Sequence, residues 1–164
     1  MVSRWRKLVA IQDRIEKQIV LHADLDRVWA AIADSRQFGA WFGAEFDGPF
    51  VLGQTTHGRI VPTSVDAEVA AMQEPHRGSD LNLDIVAIEP HTRFAFRWAA
   101  SPDTDVQTTV TFTLRPHEDG VVLIITEEGF DELPETVRQS TREGNEGGWE
   151  AQTSLIARYV AADS

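Results

Sequence analysis

The chain has 164 residues, 42% hydrophobic and 25% charged, which suits one domain with a sizeable core. Its 26 acids outweigh 15 lysines and arginines for a net charge of −11, so neither nucleic acid nor a membrane surface is an expected partner. There is no cysteine, which excludes disulfides, thiolate metal sites and cysteine nucleophiles.

Residues 1–17 carry a net +3, which leaves −14 on the rest. Residues 5–11 lack the apolar core of a signal peptide, and no run approaches the ~18 apolar residues of a membrane span. A cytoplasmic protein is expected, with a flexible arm over residues 1–13 and one domain over 14–162. Residues 15–21 alternate as a strand. Asp24 stands where a helix cap belongs, ahead of Leu25, Val28, Trp29 and Ile32 on one helical face. A second short helix carries Phe38, Trp41 and Phe42, with Gly39 and Gly43 as punctuation. Glycines 43, 48, 53 and 58 then space a meander of short strands.

Residues 63–80 read as a strand or a variable insertion, because Val65, Ala67, Val69 and Ala71 alternate. Strands follow at 81–88, 93–98, 107–116 and 121–128, the last apolar on both sides and therefore central or covered. Pro134 suits the start of a short helix, and Asn145 can cap a longer one reaching about residue 162. Gly144, Gly147 and Gly148 predict a break or a close approach of another backbone. The order defines an α+β fold: a curved antiparallel sheet, two short helices after the first strand, and a long C-terminal helix across the sheet.

Four segments carry a family resemblance. They are Val28-Trp29-Ala30-Ala31-Ile32-Ala33-Asp34 with Phe38 and Trp41-Phe42; residues 89–98 (EPHTRFAFRW); Thr126-Glu127-Glu128-Gly129-Phe130; and Gly148-Trp149 with Leu155 and Tyr159. In this order, over residues 14–162, they resemble the START-like (Bet v 1-like, SRPBCC) superfamily. The narrower resemblance is to the branch of the C-terminal domain of the activator of the heat-shock-protein-90 ATPase. It implies the helix-grip fold, with the sheet wrapped around the C-terminal helix and a cavity between them. The longer region 58–80 departs from the family and alters the expected rim.

No metal site is expected from His22, His57, His76, His91 and His117, which fall in turns or near strand ends. No nucleophile elbow, P-loop or dinucleotide fingerprint occurs, and no cofactor is expected. Glu127 is in phase with Leu123 and Ile125, the inward side. An inward carboxylate among apolar rings is a weak candidate general acid or base. The alternative is a solvated strand end or a pair with Arg97. The expected ligand-binding residues are Trp41, Phe42, Phe94, Phe96, Trp98, Phe112, Ile125, Glu127, Trp149 and Ile156. For Phe112, as for Trp29 and Phe38, core packing is the preferred reading, whereas Phe96, Trp98 and Trp149 divide evenly between core and lining.

The leading functional expectation is a small hydrophobic or aromatic ligand bound between sheet and helix, without established catalysis. The rivals are a cyclase, aromatase or hydrolase-like enzyme using Glu127, and a co-chaperone that stimulates a heat-shock-protein-90-type ATPase. A homodimer and a chaperone partner stay open.

Overall fold

Residues 13–162 are described by the computed structural model, so the expected N-terminal arm lies, apart from Asp13, outside the described residues. Strand β1 (Arg14–Leu21) leads into helices α1 (Leu25–Ala33) and α2 (Ser35–Phe42). Three short strands follow: β2 (Ala44–Phe46), β3 (Thr55–Thr56) and β4 (Gly58–Ile60). Helix α3 (Ala67–Gln73) precedes β5 (Leu83–Glu89), β6 (Arg93–Ala99), β7 (Gln107–His117) and β8 (Gly120–Glu128). Helix α4 (Glu135–Ala162) closes the chain.

The main sheet runs β1-β8-β7-β6-β5-β3, and every neighbouring pair is antiparallel. Strands β2 and β4 pair separately. Alternation along the long strands is as the sequence predicts. Thr108, Val110, Phe112 and Leu114 of β7 are buried, while Thr109, Thr111 and Thr113 are partly exposed on the other face. Strand β8, apolar on both sides, lies between β1 and β7 rather than at an edge.

Local chemistry sets the helix ends. The Asp24 carboxylate accepts from the Arg27 N–H at 2.8 Å and starts α1. Gly43 ends α2 with a left-handed φ of 100°, a conformation costly for any residue with a Cβ. Helix α2 buries Phe38, Trp41 and Phe42, and the Trp41 indole donates to the Ala31 carbonyl at 2.8 Å.

Two expectations need correction. Residues 67–73 form a helix, not a strand. Asp66 accepts from the Val69 N–H at 3.0 Å and caps it. None of its residues is buried, so no core-facing stripe marks the sequence with the helical period. Its anchors are polar: Gln73 donates to the Phe42 carbonyl and accepts from the Thr63 N–H, and Asp66 pairs with Arg158 of α4.

The second correction concerns α4. It is one continuous helix of 28 residues, and Asn145 lies inside it rather than at its start. Gly144, Gly147 and Gly148 neither break it nor touch another backbone, since a Cβ at each would meet nothing within 4 Å. Tertiary ties hold the glycine-bearing half in place. Lys17 of β1 reaches Glu150 at 2.9 Å, and Trp149, Leu155, Ile156 and Val160 are buried. Gly147→Ala is expected to raise the unfolding free energy by about 0.5–1 kcal/mol, measured by urea titration. A loss of stability would show that the helix needs glycine there.

Candidate functional site

Phe94, Phe96 and Phe112 are buried on the inner face of the sheet; Phe96 and Phe112 pack against Phe38 of α2, and Phe94 packs against both of them. Trp41, Ile125 and Ile156 are wholly buried beside them. Of the expected lining residues, these six belong to the packed centre of the molecule. Phe42, Trp98 and Trp149 stand further out. The Trp98 and Trp149 rings stack with centroids 5.7 Å apart and planes 29° from parallel. Phe42 meets both at 6.0 and 6.1 Å.

Glu127 sits behind these rings and is 0% exposed. It is not solvated and does not pair with Arg97. Four side chains donate to it instead: Trp98 Nε1 at 2.9 Å, Trp149 Nε1 at 2.8 Å, Thr108 Oγ1 at 2.5 Å and Asn145 Nδ2 at 3.2 Å. Indole N–H groups only donate, so both oxygens must act as acceptors, which suits the acceptor-only carboxylate. Among the described residues no Lys or Arg pairs with it. Its oxygens are met by hydrogen bonds rather than by a counter-ion. Asn145 also donates to the Ala100 carbonyl at 3.1 Å, which ties α4 to the loop after β6.

Two open hollows meet at Trp98 and Asn145. The smaller, about 120 Å³, lies between the Phe42, Trp98 and Trp149 rings, Asn145, Gln152 and the bare backbone of Gly144 and Gly148. The larger, about 690 Å³, runs along the loop after β6 and the segment before β5. Trp98 and Asn145 line both; Glu127 lines neither. Asp84 lines the larger hollow, where hydrogen bonds from Thr55 at 2.6 Å and Gln107 at 2.9 Å hold its carboxyl below the ordinary aspartate range.

The sequence reading did not single out Thr108, Gln152, Gly144 and Gly148 for this site, and it took Asn145 for a cap. Thr108 carried a usable signal: it is a polar residue in phase with inward Val110 and Phe112. The histidines do not converge. His91 bonds Asp26 at 2.7 Å, and His57 bonds Asn82 at 3.1 Å. Among the described residues no group of three or more His, Asp or Glu could hold a metal ion. No helix among them is long and apolar enough to cross a membrane.

A curved antiparallel sheet gripping one long C-terminal helix, with hollows at their junction, defines a START-like helix-grip protein. Residues 22–161 match the family described as Activator of Hsp90 ATPase homolog 1-like protein, and the chain belongs to that family. No curated protein matches it. A solved protein from Arthrobacter aurescens superposes with a TM-score of 0.71 at 19% identity, covering 93% of this chain and 88% of that one. MLL2253 from Mesorhizobium loti gives 0.68 at 18%, covering 92% and 98%. DynU16, from the dynemicin biosynthetic locus, gives 0.68 at 20%; 93% of this chain is covered, but it spans only 48% of DynU16. At these identities the likeness is one of fold.

Proposed function

We propose that this protein binds a small hydrophobic or aromatic molecule, its ring seated between Trp98, Trp149 and Phe42 and its polar part in the larger hollow. The observation that carries this reading is the Trp98 indole, half-buried, pinned at its N–H and set where the two hollows meet. Pinned indoles offer a rigid stacking face at low entropic cost. Size agrees. An apolar cavity of about 150 Å³ accepts a benzene, and a 120 Å³ notch open on one side suits a single ring. The glycines agree as well. Each destabilises a helix interior by about 0.5–1 kcal/mol, yet Gly144 and Gly148 face space no other group fills and leave the notch its width.

An enzyme using Glu127 draws no support from this geometry, because a ligand in either hollow meets the indoles and Asn145 before the carboxylate. Native mass spectrometry of the purified protein is expected to show a copurified small molecule. Trp98→Ala should abolish its retention, and Gly148→Ala should weaken it without loss of stability. Retention unchanged in both variants would remove the notch as the site.

A further inference from the structure

The charged groups around the larger hollow are one-sided. Asp80, Asp84 and Asp105 line it, no Lys or Arg does among the described residues, and His76 is the one lining side chain able to gain a positive charge. Arg97 and His57 lie close enough to Asp84 to act on its charge, but neither lines a hollow. The smaller hollow is biased the same way. Gln152 uses its amide N–H on the Phe42 carbonyl at 3.0 Å, and its Oε1, also buried, has no donor partner. A buried acceptor left so is costly until something donates to it. Behind the two indoles lies the carboxylate of Glu127, which has no cationic partner. Trp98 and Trp149 add ring faces, which attract cations through their quadrupoles. At long range the net charge of −11 favours the approach of positive ligands.

We propose that the ligand is a cationic aromatic: one ring for the notch, joined to a protonated amine that reaches Gln152 and the aspartates of the larger hollow. This rests on the reading that the notch binds an aromatic molecule, and adds the charge of what it takes. A neutral ring, even one with a hydroxyl to donate to Gln152, would leave the aspartates without a counter-charge, and an anionic ring would set a second negative charge beside them. A protonated amine supplies up to three donors on a compact charge and meets both needs.

Matched probes separate the two claims: 2-phenylethylamine, benzyl alcohol and 3-phenylpropionate share a ring and differ in charge. Binding is read from the indole N–H resonances of Trp98 and Trp149 in the full chain. The amine is expected to bind about tenfold tighter than the alcohol at low salt, with the carboxylate weakest. That margin should shrink several-fold at high salt and in an Asp80→Asn/Asp105→Asn variant, whose exposed positions leave folding intact. Tighter binding of the alcohol or the carboxylate would overturn the cationic ligand while leaving the aromatic site standing. An amine preference untouched by salt and by the double variant would also overturn it, because the hollow's charge would not be its source. If no probe moves either resonance, both readings fall.

Discussion

Glu127→Ala is expected to lower the unfolding free energy by about 3–5 kcal/mol, one of the two largest effects of any single substitution considered for this protein. Glu127 has no exposed surface, and four donors converge on it from β6, β7 and α4. Removing it strands the Trp149 N–H and the Thr108 hydroxyl in the interior, each an unmet hydrogen bond costing about 1–3 kcal/mol. Glu127→Gln keeps the volume but must turn one amide N–H toward a donor. A smaller loss of about 1–3 kcal/mol is expected from it. Urea unfolding of both variants checks this, with the two indole N–H resonances reporting whether the rings still hold their places. Stability within experimental error of the parent for both would mean that the donors find other partners and that Glu127 is not an anchor. A strong loss places it in the scaffold behind the site, and the enzyme reading is then left with no named acid.

Phe38→Ala should cost about 3–5 kcal/mol as well, through lost burial and the cavity that remains. Phe38 is 0% exposed, and six rings surround it: Trp41, Phe42, Phe46, Phe50, Phe96 and Phe112, with centroids 4.9–6.2 Å away. Those neighbours come from α2, the β2–β3 segment, β6 and β7, so they cannot all shift to refill the space. Trp98→Ala deletes a larger ring yet should cost clearly less, because that ring is half-buried and faces open space. Thermal unfolding of the two variants side by side reads the contrast. Equal losses would mean that Trp98 is as much core as Phe38, and the notch would lose its stacking wall.

The resemblance drawn from four segments agrees with the family match, which spans nearly the same residues. The sequence misled at α3 and α4, for different reasons. Helix α3 has no fully buried residue to mark a helical stripe, and Val65, Ala67, Val69 and Ala71 at every second position imitate a strand. In α4 the three glycines argue for a break by propensity alone. Packing of Trp149, Leu155, Ile156 and Val160 against the rest of the fold outweighs that preference.

What the sequence by itself determined is the side of each long element that turns inward. Burial acts on every second residue of a strand and on one stripe of a helix, and both periods are written locally. The inward phase of Glu127 belongs to that class, as do the buried rings of β6 and β7. Only the tertiary structure decided what meets there. Trp98, Thr108, Asn145 and Trp149 lie 29, 19, 18 and 22 residues from Glu127 along the chain. No period links them to it. Antiparallel register brings Trp98 opposite Thr108, and Val110 opposite Glu127. The crossing of α4 then adds Asn145 and Trp149 from above. Convergence of donors on one carboxylate depends on distances between elements, and a sequence records which faces are buried, not which neighbour buries them.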